Sequence, residues 1–138
     1  MCIRDSAYCW HAVPGYSAFG SYEGSATPFV YTGFKPAFVM VKCLNAPSNN
    51  QAYYSWSIFD NVRGPYNSSL TALYANNAKS DGERAGDSNA FDPTKGINFL
   101  SNGFQIPSAD YGETNVGSGY QYLYMAFAEQ PFELANAR

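Results

Sequence analysis

The chain has 138 residues, enough for one domain with a real core and no metal or disulfide staples. Charged residues make up 14% and aromatic residues 17%, a balance that excludes intrinsic disorder and a coiled coil. The net charge is −3 with 8 dispersed basic residues, which lacks the basic footprint of a nucleic-acid binder. No apolar run approaches the roughly 20 residues that cross a bilayer as a helix, so membrane insertion is not expected.

The opening Met1-Cys2-Ile3-Arg4-Asp5-Ser6 resembles the translation of a transposon mosaic-end sequencing adapter. Residues 1–6 are therefore expected to be an artefact outside the fold. Residues 7–138 are then expected to be a single domain, the C-terminal fragment of a longer protein recovered from a metagenomic sample. Cys9 and Cys43 remain, too few for a disulfide framework, and whether they pair is left open.

Strand signals dominate, because Gly, Pro, Asn and Ser punctuate the chain too often for amphipathic helices. Phe19 to Tyr22 predicts a short strand. Thr27 to Phe34 predicts a second, with Phe29 and Tyr31 on one face. Ala37 to Cys43 is apolar on both faces, as in a central strand. Asn45 to Gln51 is a polar loop. Tyr54 to Asp60 alternates, with Trp56, Ile58 and Asp60 on one face and Ser55, Ser57 and Phe59 on the other. Leu70 to Tyr74 predicts another short strand. Asn76 to Lys95 reads as a long surface loop.

Ile97 to Leu100 and Phe104 to Ile106 flank Ser101-Asn102-Gly103, and Asn-Gly between apolar runs predicts a type I′ hairpin. Ser108 to Gly119 reads as a second polar loop. Tyr120 to Glu129 predicts the last strand, with Tyr122, Tyr124 and Ala126 on one face and Leu123, Met125 and Phe127 on the other. Two apolar faces predict a strand inside a sheet and packed on both sides. About seven short strands with turns between them predict an all-β fold, an antiparallel β-sandwich of jelly-roll-like form.

Several segments carry a family likeness in order along nearly all of residues 7–138. They include Trp10-His11-Ala12-Val13-Pro14-Gly15-Tyr16-Ser17, Gly20-Ser21-Tyr22-Glu23-Gly24 and Phe29-Val30-Tyr31-Thr32-Gly33-Phe34-Lys35-Pro36. Trp56 to Asp60, Ile97 to Phe104 and Tyr124 to Phe132 continue the series. Together they resemble a β-rich domain of unknown function near the C-terminus of tailed-phage structural proteins, of the tail-fibre or appendage kind. The closing Phe132 to Arg138 resembles a native end. The resemblance implies location in the virion and contact with other virion proteins or identical subunits. It supplies no catalytic signature.

The residues themselves offer little chemistry. His11 is the sole histidine, and Gly15-Tyr16-Ser17-Ala18-Phe19-Gly20 misses the nucleophile elbow by one position, with no helix to follow it. Cys9, His11 and Cys43 lack a fourth ligand for a structural zinc site. Asp60 and Arg63 read as a turn cap or surface ion pair. Asp81, Glu83, Asp87, Asn89 and Asp92 crowd the long loop, but their spacing matches no EF-hand. The laminarinase pattern Glu-x-Asp-x-x-Glu is absent. No cofactor or metal is expected. Asn67-Ser68-Ser69 matches the glycosylation sequon, which would carry no sugar in a phage or bacterial protein.

The aromatic surplus is the informative feature. Trp10, Tyr53, Tyr54, Tyr66 and Tyr111 flank predicted loops and are the candidate residues for contact with a ligand or subunit. The leading expectation is a non-enzymatic virion module touching a host-surface glycan or protein. The alternative is a secreted bacterial carbohydrate-binding module, with a hydrolase fragment a weaker third.

Overall fold

The computed structural model describes residues 7–45, 54–64, 66–76, 78, 96–108 and 113–130. Eight strands and no α-helix run through them: β1 (Ser17–Glu23), β2 (Phe29–Tyr31), β3 (Pro36–Cys43), β4 (Ser57–Asp60), β5 (Leu73–Tyr74), β6 (Asn98–Leu100), β7 (Gly103–Gln105) and β8 (Gln121–Ala128). They form a five-stranded sheet in the order β1-β8-β3-β4-β5 and a three-stranded sheet in the order β2-β7-β6. Every pairing is antiparallel. The chain is an all-β, antiparallel sandwich.

Period-two alternation decides what each face carries. Reading across the large sheet, Ala18, Ala126, Val39 and Phe59 share one row, and Gly20, Tyr124, Val41, Ser57 and Tyr74 share the next. These rows face the small sheet. Across the gap, Val30, Phe104 and Phe99 form the matching row of β2, β7 and β6. Phe104 is fully buried and locks the sheets together, its ring edge-on to Tyr22 at 6.1 Å and to Tyr124 at 5.5 Å. Val39, Val41, Phe59, Ile97, Ile106 and Tyr122 complete a dry centre, each 1% exposed or less.

Several elements are shorter than their sequence patterns. The strand expected over Thr27 to Phe34 contracts to β2, bounded by Pro28 and by Gly33 at φ +81°. The strand expected from Tyr54 begins only at Ser57, because the Trp56 N–H donates to Asn76 Oδ1 at 2.8 Å. The strand expected over Leu70 to Tyr74 keeps only Leu73 and Tyr74.

The hairpin lies where expected, but its turn is shifted by one residue. Leu100 pairs with Gly103, so Ser101 and Asn102 form the turn and Gly103 opens β7. Gly103 is not among the positive-φ glycines. It is needed for a different reason: a Cβ there would drive into the Val30 carbonyl oxygen of β2.

The polar loop expected from Ser108 to Gly119 also departs from expectation. Glu113, Thr114 and Asn115 are buried. The Tyr74 hydroxyl donates to Glu113 Oε2 at 2.8 Å, and the Tyr22 hydroxyl donates to the Thr114 carbonyl at 2.6 Å. Asn115 uses all four of its amide positions. Oδ1 accepts from the N–H groups of Ser25 and Gly117, and Nδ2 donates to the carbonyls of Ser25 and Ser108. Most of the loops expected at Asn45 to Gln51 and Asn76 to Lys95, including Asp81, Glu83, Asp87, Asn89 and Asp92, lies outside the described residues.

Candidate functional site

The second face of the large sheet is also apolar. Phe19, Met125, Met40, Ile58 and Leu73 form one continuous row across all five strands. Ser17, Phe127, Phe38 and Asp60 form the row beside it. The small sheet packs on the opposite side, so this face meets only the N-terminal segment and solvent among the described residues. Leu123 is 40% exposed. The expectation that β8 is packed on both sides is therefore corrected: β8 is central within its sheet, but one of its faces is only partly covered.

The cover comes from residues 7–16. A turn closed by Gly15 at φ +73° and by paired bonds between Val13 and Ser17 folds this segment back before β1. Ser17 Oγ is consumed there, accepting from the Val13 N–H and donating to the His11 carbonyl. Trp10 then lies over the sheet, stacked on Phe19 at 6.0 Å and edge-on to Phe127 at 6.3 Å. Phe127 also meets Tyr16 at 5.9 Å, Phe19 at 5.9 Å and Phe38 at 5.8 Å. Contacts of this kind add roughly 0.5–1.5 kcal/mol per pair beyond burial and hold the rings in fixed attitudes.

Beside this cluster runs a groove of about 740 Å³, within the size range of small-molecule sites. Tyr8, Trp10, Phe19, Met40, Trp56, Leu123 and Met125 line it, with Ala75, Asn76 and Tyr124. Both tryptophans of the chain stand in this one groove. Among the described residues, no carboxylate, histidine, lysine or arginine lines it. Such a surface can bind apolar or sugar C–H faces and offer a few hydrogen bonds, but it presents no acid–base pair.

Of the residues singled out from sequence that the structure describes, only Trp10 reaches this groove. Tyr66 is 83% exposed at a separate polar hollow with Lys35, Asn61, Asn67 and Glu129. There Lys35 Nζ pairs with Glu129 Oε2 at 2.8 Å, and Asn61 Nδ2 donates to Glu129 Oε1 at 2.7 Å. Tyr54 is corrected from a surface contact to a core residue. It is 7% exposed, its ring stacks on Tyr120 at 6.3 Å, and its carbonyl accepts from Lys42 Nζ. Tyr53 and Tyr111 lie outside the described residues. Sequence reasoning passed over Phe19, Met40, Trp56, Leu123 and Met125. Their signal was present as period-two alternation on β1, β3, β4 and β8, but alternation does not tell which of two apolar faces is left uncovered.

The remaining polar groups serve the fold. Asp60 Oδ1 accepts from the N–H groups of Val62 and Arg63, and Oδ2 pairs with Arg63 Nε at 2.5 Å. Burial pushes the Asp60 carboxyl up, but the Arg63 N–H, its guanidinium and the Val62 N–H outweigh it and hold the group below its ordinary value. Asn67 places its amide on β6, accepting from the Phe99 N–H at 2.9 Å and donating to the Phe99 carbonyl at 3.1 Å. Cys9 is exposed and Cys43 buried, both as free thiols. Burial first, then the neighbouring Tyr122 and Cys43, pushes the Tyr22 hydroxyl well above its usual range. Burial likewise raises Tyr122, against the Val116 N–H that its oxygen accepts. Among the described residues, no group of three or more His, Cys, Asp or Glu side chains is placed to hold a metal ion.

Residues 4–131 match the family model described as Domain of unknown function (DUF7483), and the chain belongs to that family. No curated protein and no solved structure matches the chain.

Proposed function

We propose that this family member is a non-enzymatic contact module of a phage tail fibre or similar virion appendage, and that the aromatic groove on its large sheet receives a host-surface glycan or protein. The observation that carries this reading is the groove itself. It concentrates both tryptophans, Tyr8, Phe19 and two methionines on an accessible face, with no charged side chain among the described residues that line it. Aromatic rings supply large contact area at small entropic cost, and a low-charge surface favours shape over salt-sensitive attraction. The virion setting rests on the sequence resemblance alone. A secreted bacterial carbohydrate-binding module would use the same groove, and the aromatic lining favours a sugar ligand in either setting.

Because Trp10 and Trp56 both line the groove, intrinsic fluorescence reads its occupancy directly. Titration with capsular and lipopolysaccharide-derived oligosaccharides and with outer-membrane protein extracts is expected to shift or quench this emission. Trp56→Phe is expected to weaken the response at least tenfold, while Tyr66→Ala leaves it unchanged. A flat response to every probe, or one that survives Trp56→Phe undiminished, overturns the contact reading. Long-read sequencing of the source across the Ser6–Ala7 junction decides the setting. Flanking tail or baseplate genes support the virion, and flanking polysaccharide-utilisation genes support the secreted module.

A further inference from the structure

The four sheet edges are not equivalent. β5 is two residues long and β2 is three. The edge of β6 is closed by the Asn67 amide, which meets both backbone groups of Phe99. β1 is seven residues long and pairs along its length with β8, while among the described residues its other side is met only by Val13, at Ser17. It carries no lysine, proline or bulge, the usual devices that blunt an edge.

Alternation identifies which groups of β1 are open. The Tyr16 carbonyl accepts from the Ala128 N–H, and the Gly24 N–H donates to the Tyr120 carbonyl, so even-numbered residues face β8. Ser17 faces the other way, and both of its backbone groups are taken by Val13. Phe19, Ser21 and Glu23 follow Ser17 in direction. Among the described residues, no hydrogen bond reaches their outward N–H and C=O groups.

We propose that β1 is an assembly edge at which two copies of this chain pair antiparallel about a two-fold axis through Ser21. That register matches Phe19 with Glu23 of the second copy, and Ser21 with its own equivalent. It satisfies every open backbone group of both strands. An axis through Gly20 would instead direct Glu23 onto Ser17, whose groups are occupied. The Ser21 axis sets the small Gly20 opposite Tyr22, so one ring covers the gap that the glycine leaves. It also keeps the two Glu23 carboxylates roughly 13 Å apart, four residues along the strand. The product is a continuous ten-stranded sheet whose two aromatic grooves lie on one surface. The pairing stands independently of what the groove binds.

The test is sedimentation of the 138-residue chain over a wide concentration range, alongside three single variants. The native chain is expected to be a dimer that dissociates on dilution. Ser21→Pro removes an outward N–H that bonds nothing within the chain, so it is expected to weaken the dimer at least tenfold with the circular dichroism spectrum preserved. Ser21→Cys tests the axis without depending on that variant's fold. Hydrogen-bonded antiparallel pairs sit about 5.5 Å apart at Cα, within disulfide range, so oxidation is expected to cross-link it. Glu23→Cys controls for the native thiols and is expected to cross-link no more than the native chain. A native chain that stays monomeric or forms a trimer overturns the proposal. So does a dimer indifferent to Ser21→Pro, or equal cross-linking at positions 21 and 23.

Discussion

The two faces of the five-stranded sheet are made by the same strands, one residue out of step. On the inner face, Val39, Val41, Phe59, Tyr122 and Ala126 are sealed under the row Val30, Phe104 and Phe99 of the small sheet. On the outer face, Phe19, Met40, Met125 and Phe127 are nearly as apolar, but among the described residues only Tyr8, Trp10 and Tyr16 lean over them. Apolar character therefore does not by itself make a core. A core needs a second surface of matching shape, and among the described residues the outer face has only a short flanking segment. The difference separates residues that stabilise the fold from residues available for contact.

The largest expected effect comes from breaking the inner face. Phe104→Ala removes the ring that joins the two sheets and should destabilise the chain by about 3–5 kcal/mol, read as a lower midpoint in urea. Gly103→Ala attacks the same face through the backbone. Its methyl group collides with the Val30 carbonyl, so β2 and β7 must move apart at a cost of about 1–3 kcal/mol.

The inner face should also fail at high pH. Tyr22 and Tyr122 have hydroxyls raised above the ordinary value near 10, so above pH 10 the unfolded chain releases protons that the folded chain keeps. Stability is then full below about pH 10 and falls above it, by up to about 1.4 kcal/mol per pH unit for each such tyrosine. Thermal melts between pH 8 and 11.5 check this. Tyr122→Phe should flatten the slope.

The smallest effect sharpens the contrast. Leu123→Ser on the outer face should cost only about 1 kcal/mol, well short of Phe104→Ala, because the side chain is already 40% exposed. A loss as large as that of Phe104→Ala would show that the outer face is covered in solution and acts as a second core.

These two faces also explain what could be read from residues alone. The all-β class and the positions of β1, β3 and β8 follow from alternation and from turn residues. The hairpin is visible as Asn102-Gly103, yet the glycine serves close approach of β2 rather than the turn, a tertiary demand with no local signature. Glu113, Thr114 and Asn115 read as surface because they are polar. Their partners Tyr74, Tyr22 and Ser25 are far away in the chain and become visible only once it folds. Tyr54 borders a polar stretch and so looks like a rim residue, although its ring stacks on Tyr120 across the fold. The groove was the hardest feature to see. Its residues come from several strands and the N-terminal segment, and no single stretch contains more than two or three of them.

The four-bonded amide of Asn115 has a consequence for anyone wishing to diversify this scaffold. It ties position 25, in the β1–β2 connection, to positions 108 and 117 of the β7–β8 connection, two loops far apart in the chain. Those connections cannot be treated as separate cassettes. Randomising one slackens the other, so a library built on this end of the molecule would sample disorder before it sampled shape. Among the described residues, the strand ends that frame the groove carry no four-bonded side chain of this kind, and new specificities are better sought there.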